Sequence, residues 1–404
     1  MPLTHEQIAK IRKKEAETPQ ALRRDPIINY YEGWFFVTLN TRDGVPVLSI
    51  VDGDANVPDG HEHAPRCRYT SVGRGVIEAW KMMPSIHPNV EIDLCEAMPE
   101  HFHGLVHLLP GNKRHLGIII RGFMIGCSHA YWDTLGIAWR NMTNKDGVIT
   151  PQYNDRDHTM SYRGPALFVR GYNDMEPITP EEIEIKRQYI RDQARKRLIQ
   201  GENHRCFTKH RHKHSKNWTL ERALLAIATD RVFRYDAQRR DRAMANVKAR
   251  LNTDAQGICL DHIGASALLA AQRKLPLICH SIDAPYFEHQ KAAVINAARS
   301  GAVIVSAFIS PKERDIKEQL MREQLPFVEI IDNGMPERYK GIGRAFYALA
   351  EGRLCQITPW RYEYQKDVKV TREMCMVMNE LARVVSGVPD DWWNTPNQGG
   401  DTHG

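Results

Sequence analysis

The chain has 404 residues, a net charge of +6, 42% hydrophobic residues and 26% charged residues. This length exceeds what one small core supports, so two domains are expected, and the composition is typical of a globular protein rather than a disordered one. The positive charge favours a polyanionic partner. The apolar stretch HLGIIIRGFMIGC is interrupted by Arg121 and is too short to cross a bilayer, so no membrane partner is predicted.

The eight cysteines of the chain are spread along it without a CxxC pair. Such spacing does not indicate a disulfide framework, whereas reduced thiols in a cytoplasm fit it. The sequence therefore predicts a cytoplasmic protein.

The first half of the chain predicts a ferredoxin-like domain at residues 28–200, preceded by a helical arm at residues 1–27. YYEGWFFVTLNT and VPVLSIVDG predict a strand pair, TSVGRGVIEAWKMMPSI a helix, and NVEIDLCEAMP with HFHGLVHLLP two further strands. A helix from about His115 to Trp132 and a strand in PALFVRGYNDM follow. The helix TPEEIEIKRQYIRDQARKRLI completes the pattern, with Thr179 as its cap and Pro180 in its first turn. This order is that of an antiparallel ferredoxin-like sheet with helices on one face.

The second half of the chain has a different sequence pattern. Residues 201–254 are rich in basic side chains and predict a connector, residues 255–385 alternate short apolar strands with helices, and residues 386–404 predict a flexible tail. Alternation of this kind indicates a parallel, Rossmann-like sheet. The predicted fold class is therefore α/β, with an α+β ferredoxin-like antiparallel domain followed by a Rossmann-like parallel domain.

Three histidines occupy one strand of the first domain, in MPEHFHGLVHLLPG. Because strand side chains alternate between faces, His101 and His103 point the same way, and His107 joins them if the strand continues. Two imidazoles on one face can bind one metal ion. The pair alone is weak evidence, since histidines hydrogen bonded in a sheet are the plain alternative and His-x-His recurs in HEH and HRHKH.

Tyr189 and Gln193 are four residues apart on the clearest helix of the chain, so they lie one above the other on one face. A phenol loses its proton only near about pH 10 and is a poor nucleophile at neutral pH, unless a divalent cation beside it polarises the phosphate under attack. The Gln193 carboxamide could supply a third ligand for that cation. Each residue alone is better explained as an ordinary helix residue, but the two together, after a sheet with a histidine pair, favour a catalytic site.

These three separated elements resemble the single-tyrosine HUH transposases, which include insertion-sequence enzymes and REP-associated tyrosine transposases. The resemblance rests on YYEGWFFVTLNT, on the His-hydrophobic-His strand with Phe102 between the histidines, and on the Tyr-x-x-x-Gln helix, in that order. It covers about Ile28 to Gln200. The chain departs from the family in its long inserts at Asp52–Pro65 and Arg140–Gly164 and in its large C-terminal domain.

The resemblance implies a DNA strand transferase. By it, His101, His103 and Gln193 would bind Mg²⁺ or Mn²⁺, and Tyr189 would cleave single-stranded DNA, leaving a 5′-phosphotyrosine and a free 3′-hydroxyl. It also implies a homodimer that works on hairpin-bearing DNA ends, and hence a nucleoid-associated location within the cytoplasm.

Other constellations offer alternatives. Tyr172 is a second candidate nucleophile, although it has no partner four residues on. HEHAPRC and HRCFTKHRHKH could each bind zinc, but neither has a second ligand pair at zinc-finger spacing. In the latter, a basic patch that contacts phosphate is the better interpretation, with its charge at four positions: Lys209, Arg211, Lys213 and Lys216.

The C-terminal domain carries only fragments of a binding motif. KGIGRAF holds Gly341 and Gly343 without a full GxGxxG, and Ser306 and Ser310 lie between a strand and a helix, where backbone N–H groups could bind a phosphate. The segment weakly resembles the Rossmann-like domains of DNA-processing-protein-A and lysine-decarboxylase-like proteins, which bind nucleotides or nucleic acid. Two alternatives to a transposase therefore stay open: a non-catalytic DNA-binding or regulatory protein with this fold, and a nucleotide-handling enzyme that acts through the C-terminal domain.

Overall fold

The computed structural model describes residues 28–136, 153–154, 159–160, 165–212, 217–255, 257–337, 339–363 and 370–394. The chain forms two compact units, Met1–Ile199 and Gln200–Gly404. The helical arm expected at residues 1–27 lies outside the described residues. Within the described residues, no helix has the length and apolarity that a membrane crossing requires.

The first unit contains eight strands and five α-helices among its described residues, with the last helix running past the division between the units. In chain order they are β1 (Gly33–Asn40), β2 (Ser49–Asp52), β3 (Arg66–Tyr69), α1 (Ser71–Lys81), α2 (Met83–Ile86), β4 (Val90–Met98), β5 (His101–Leu108), α3 (Leu116–Thr134), β6 (Tyr153–Asn154), β7 (Thr159–Met160), β8 (Asn173–Met175), α4 (Pro180–Arg191) and α5 (Gln193–Glu202).

The main sheet of this unit has the strand order β4-β5-β1-β8, and all its pairs are antiparallel. With α1 between β1 and β4, and α3 between β5 and β8, this is the ferredoxin-like arrangement that the sequence predicts. The predicted pairing of the first two strands is wrong. Both edges of β1 are taken, by β5 and β8, so β2 pairs with β3 instead.

The two faces of β5 pack against different parts of the first unit, and the three histidines all lie on one face. Phe102 and Val106 lie in the core with residues of α1 and α3 such as Trp80. On the opposite face, Leu105 packs with Ile183 of α4. Since side chains alternate along a strand, His101, His103 and His107 share this second face with Leu105.

The helix α4 begins with the predicted cap. Thr179 accepts a hydrogen bond from the backbone N–H of Glu182, whose carboxylate in turn binds the backbone N–H of Thr179. The predicted single long helix is interrupted at Asp192, so α4 and α5 are separate helices. The capping box anchors the start of the segment that carries Tyr189.

The second unit is built on a six-stranded sheet, with a β-hairpin and six α-helices besides it among the described residues. In chain order its elements are β9 (His210–His212), α6 (Leu220–Ala228), α7 (Ala237–Arg250), β10 (Thr253–Asp254), β11 (Gly257–Ile258), β12 (Leu260–Gly264), β13 (Lys274–Pro276), α8 (Phe287–Arg299), β14 (Val303–Ser306), α9 (Pro311–Arg322), β15 (Phe327–Ile330), α10 (Arg344–Ala350), β16 (Leu354–Thr358) and α11 (Arg372–Ser386).

The strand order of this sheet is β13-β14-β15-β16-β12-β9. The first four strands are parallel, and β12 and β9 extend the sheet with antiparallel pairs. Apolar residues from neighbouring strands, such as Val305, Val328 and Ile357, form one core with residues of α6, α7 and α11. The parallel, Rossmann-like domain is thus confirmed, with an antiparallel extension that the sequence pattern did not predict.

Residues 201–254 do not form the expected connector. β9 pairs with β12, and Ala223, Ile227 and Val247 bury in the core of the second unit. The apolar residues of α6 and α7 recur at helical spacing between exposed arginines and form one buried face on each helix. The basic average composition of the segment does not reveal this face.

The expected flexible tail, residues 386–404, is wrong for its first part. Trp392 donates a hydrogen bond from Nε1 to the backbone oxygen of Pro276 at 2.8 Å, and Trp393 is buried. The carboxylate of Asp390 binds His280 Nε2 at 2.6 Å and Arg383 Nη2 at 3.0 Å. These contacts hold residues 388–394, while residues 395–404 lie outside the described part.

The attachment of this C-terminal segment is expected to weaken as the pH rises through neutrality. The hydrogen bond to Asp390 raises the pKa of His280 above its ordinary value of 6.5. The stabilising effect of charged His280 is therefore complete below about pH 6.5 and is lost as the pH rises through the raised pKa. Hydrogen exchange of the amides in residues 388–394, corrected for intrinsic rates, should show more protection at about pH 6 than at about pH 8.5. His280→Gln should flatten this dependence, and an equal pH dependence in both proteins would contradict the role of His280.

Candidate functional site

The histidine pair lies on the face of β5 that α4 covers. The ring centroids of His101 and His103 are 4.7 Å apart, and His103 is only 4% exposed. Thr38, its cross-strand partner on β1, places Oγ1 2.9 Å from His103 Nδ1. A hydrogen bond at Nδ1 fixes the ring orientation and makes Nε2 the nitrogen with which His103 would bind a metal.

His101 is held by a carboxylate from the turn between β4 and β5. Glu100 Oε1 lies 3.5 Å from His101 Nδ1 and accepts a hydrogen bond from Arg197 Nη1 of α5 at 2.9 Å. The His101 and Arg197 contacts lower the pKa of Glu100, so this side chain is a carboxylate at neutral pH. The second oxygen, Oε2, is buried and has no hydrogen-bond partner among the described residues.

Tyr189 of α4 lies beside His103, and Gln193 of α5 is hydrogen bonded to Tyr189. The ring centroid of Tyr189 lies 5.3 Å from that of His103, and both rings contact Phe36 of β1. Gln193 is 4% exposed, and its Nε2 donates to the backbone oxygen of Tyr189 at 3.0 Å. Because Nε2 is used in this way, Oε1 is the atom with which Gln193 can bind a cation. The helix interruption at Asp192 therefore does not separate these two side chains.

The phenol of Tyr189 is in its weakly nucleophilic form in this setting. Burial raises its pKa above the ordinary value, and the hydrogen bond with Gln193 opposes this only in part. The ammonium group of Lys196 lies 5.5 Å from the centre of the Tyr189 ring. An attack on phosphorus by this phenol needs the phosphate to be polarised beside it.

The side chains present fit a divalent cation. Within the described residues, no three histidine, cysteine, aspartate or glutamate side chains gather as a metal site. A cation here therefore depends on the Gln193 amide oxygen as its third donor beside His101 and His103. An amide oxygen with two imidazoles suits Mg²⁺ or Mn²⁺, and the imidazoles favour Mn²⁺. Arg197 already balances the charge of Glu100, so the buried Oε2 offers an oxygen acceptor near His101 rather than unbalanced charge.

Two other sequence candidates lie away from this site. His107 is on the same face of β5 but stacks on Trp34 at a centroid distance of 4.4 Å and lies 3.3 Å from Glu91. Tyr172 is buried in the core on the opposite face of the sheet, near Gly117 of α3. Tyr172 is 6% exposed there and lies on the other face of the sheet from the histidine pair, so the structure does not bring this second candidate nucleophile to the site.

The predicted zinc alternatives do not assemble among the described residues. His61 and His63 lie near each other, but the Cys67 thiol contacts Met98 Sδ at 3.5 Å. In the second segment, His210 stacks on His262, while residues 213–216 of the same segment lie outside the described part.

The predicted basic patch is partly neutralised. Lys209 pairs with Glu337 at 3.3 Å, and Arg211 pairs with Asp261 at 3.2 Å. These ion pairs lower the positive charge that the two side chains offer to a phosphate. The other two members of the predicted patch, Lys213 and Lys216, lie outside the described residues.

The predicted phosphate site in the C-terminal domain is filled by the chain itself. The carboxylate of Glu313 accepts hydrogen bonds from the backbone N–H groups of Ile309, Ser310 and Cys279. The hydroxyl of Ser306 accepts the N–H of Phe308. A phosphate would have to displace a buried carboxylate, so this prediction is wrong. Gly343 directly precedes α10 without completing a glycine-rich motif.

Sequence reasoning missed the residues that orient the histidines. Thr38, Glu100 and Arg197 come from three distant parts of the chain, so no short motif contains them. Two signals were present: Glu100 directly precedes His101, and Arg197 follows Gln193 by one helical turn.

Comparisons with known proteins do not identify a family. No protein-family model matches the chain, and no curated protein does. Among solved structures, the chain is similar to DNA processing protein A from Helicobacter pylori, which is described by its single-stranded DNA binding mode. The match has 19% identity and a TM-score of 0.24, and it covers 32% of this chain and 58% of that one. A likeness this distant bears on neither fold nor function, so the resemblance to tyrosine transposases rests on the residues alone.

Proposed function

We propose that this protein cleaves and rejoins single-stranded DNA through a covalent bond to Tyr189, with Mg²⁺ or Mn²⁺ held by His101, His103 and Gln193. The observation that supports this most is the 5.3 Å separation between the rings of Tyr189 and His103, which brings the candidate nucleophile beside the histidine pair. Gln193, whose Nε2 donates to the backbone oxygen of Tyr189, is the proposed third donor.

The proposed reaction is a transesterification. The phenolic oxygen of Tyr189 attacks the phosphorus of a backbone phosphate, the bond from phosphorus to the 3′ oxygen breaks, and the phenol proton ends on that oxygen. The products are a 5′-phosphotyrosine and a free 3′-hydroxyl. Since the phosphoester bond is kept, attack by a 3′-hydroxyl reverses the step without an external energy source.

The chain's own residues have separable tasks in this reaction. Thr38 and the Glu100–Arg197 pair orient the two imidazoles, and Gln193 positions the Tyr189 backbone. A bound divalent cation supplies charge neutralisation at the phosphate, which offsets the raised pKa of the Tyr189 phenol. By the same resemblance we propose hairpin-bearing DNA ends as the substrate and a homodimer as the active form.

The test is the formation of a covalent protein–DNA adduct on a denaturing gel. The whole chain is incubated with Mn²⁺ and a labelled single-stranded oligonucleotide that carries a hairpin. We expect an adduct with the wild type, none with Tyr189→Phe and none in EDTA. Tyr172→Phe, which changes a buried phenol outside the site, should keep the adduct. An adduct that persists in Tyr189→Phe would refute the assigned nucleophile, and DNA binding without any adduct would favour a non-catalytic DNA-binding protein.

A further inference from the structure

The turn between α6 and α7 and the first turns of α7 form a strongly basic surface, which we call the arginine tip (residues 231–242). The tip carries five arginines and two aspartates, so its net charge of +3 is half that of the whole chain. Its arginines are Arg231, Arg234, Arg239, Arg240 and Arg242, and all but the partly buried Arg240 are exposed.

The charge of the arginine tip is not balanced locally. Arg234, Arg239 and Arg242 form no ion pair with any residue in the described part of the chain, and Arg240 has only a 3.8 Å contact with its neighbour Asp241. Many arginines elsewhere in this unit are paired with acids. Examples are Arg222 with Glu380, Arg299 with Glu323, Arg344 with Glu318 and Arg372 with Asp230. Positive charge without an internal partner marks a surface that suits a polyanion.

An exposed aromatic side chain lies among the arginines of the tip. Tyr235 is 82% exposed, which is unusual for a residue of its size, and the guanidinium of Arg234 lies 4.6 Å from the centre of its ring. An exposed aromatic ring among arginines is the combination with which proteins hold single strands, since bases stack on the ring while cations meet the phosphates.

The arginine tip is also firmly anchored. Phe233 is only 3% exposed and packs in the core of the second unit, and Asp230 binds Arg372 through two hydrogen bonds of 2.9 and 2.8 Å. Asp236 caps α7 by accepting the N–H of Arg239 at 2.9 Å. Because the backbone is fixed by these contacts, little ordering is needed on binding, which favours affinity.

We propose that the arginine tip is a binding surface for single-stranded DNA, with a base stacked on Tyr235 and phosphates contacted by Arg234, Arg239 and Arg242. This surface belongs to the second unit and adds to the proposed cleavage site on the first. It does not depend on Tyr189 being a nucleophile.

The electrostatic part is tested by the salt dependence of binding, in EDTA so that no metal-dependent cleavage occurs. Fluorescence anisotropy compares two double variants of the whole chain that lose the same charge. Arg234→Gln/Arg242→Gln removes two unpaired arginines, and Arg299→Gln/Arg344→Gln removes two exposed, paired ones. The first should lower the slope of log K against log salt by about 1.4, at about 0.7 per phosphate contact on single strands. An equal slope for both double variants overturns the proposal.

The stacking part is tested at Tyr235, whose exposure means that its replacement leaves the core intact. Tyr235→Ala should weaken binding of a single strand by about 5-fold or more, and Tyr235→Phe should retain it. Irradiation with 5-iodouracil DNA should cross-link the base to Tyr235, as read by mass spectrometry. Equal affinity of Tyr235→Ala and wild type, with no cross-link at this residue, overturns the stacking contact. A loss of the same size on duplex DNA overturns the preference for single strands.

Discussion

Replacing His103 with alanine is expected to weaken Mn²⁺ binding by more than about 100-fold and to slow adduct formation by about 10³-fold or more. His103 is one of the two imidazoles in the proposed donor set, and Gln193 with one remaining imidazole is too few donors to hold a cation firmly. The loss of charge neutralisation leaves a phenol whose pKa burial has raised, so the attack on phosphorus slows as well. Titration calorimetry with Mn²⁺ and the denaturing-gel assay measure the two effects separately.

The matched control is His107→Ala, a change of the same residue type on the same strand. His107 stacks on Trp34 and lies beside Glu91, away from Tyr189. Its loss should leave Mn²⁺ affinity and adduct formation within about 2-fold of wild type, since Trp34 and Glu91, which it contacts, are not part of the proposed metal site. If His103→Ala retained Mn²⁺ binding, the donor set would be wrong; if wild type bound no Mn²⁺ yet formed the adduct, the cation would be wrong but not the nucleophile.

The parts of this molecule that the sequence predicts well depend on local periodicity. The alternation in HFHGLVHL places Phe102 and Val106 in the core and His101 and His103 on the other face, as the structure shows. The same is true of the Thr179 cap of α4, which requires only residues close in sequence. The ferredoxin-like strand order also follows, because the succession of elements leaves few ways to cover one face of a sheet with two helices.

The parts that sequence reasoning misses depend on partners far along the chain. Local composition suggests a loose end at residues 386–404, yet Asp390 and Trp392 are held by His280 and Pro276, more than 100 residues away. The N–H groups near Ser310 suggest an anion site, but a carboxylate three residues on already fills it. The sequence likewise does not show which basic side chains form ion pairs. Arg211 pairs with Asp261 of the neighbouring strand, whereas Arg234 has no ion pair in the part of the chain that the structure describes.

The glycine that follows His103 shows how the core constrains the site. A Cβ atom at Gly104 would lie 2.5 Å from Cη2 of Trp80, so only glycine lets the indole approach β5 this closely. Trp80 is fully buried and contacts the rings of Phe102 and Phe123 at centroid distances of 5.0 and 5.2 Å. Its Nε1 has no hydrogen-bond partner among the described residues, so packing alone gives this side chain its stabilising effect.

Trp80→Ala is therefore expected to destabilise the first unit by about 3–5 kcal/mol, because it leaves a large cavity directly beneath the strand that carries the histidines. Since the chain has two units, the change is best followed in urea through hydrogen exchange of the β5 amides rather than through one global unfolding curve. Met82→Ala, an exposed position just after α1, is the control and should cost less than about 0.5 kcal/mol.

Gly104→Ala should cost about 1–3 kcal/mol of stability by overpacking. The double variant with Trp80→Ala should lose less stability than the sum of the two single variants, because the added methyl group then enters the vacated space. If the stability losses of the two single variants simply added in the double variant, the indole would not lie against Gly104. The inference that this core supports the histidine strand would then be wrong.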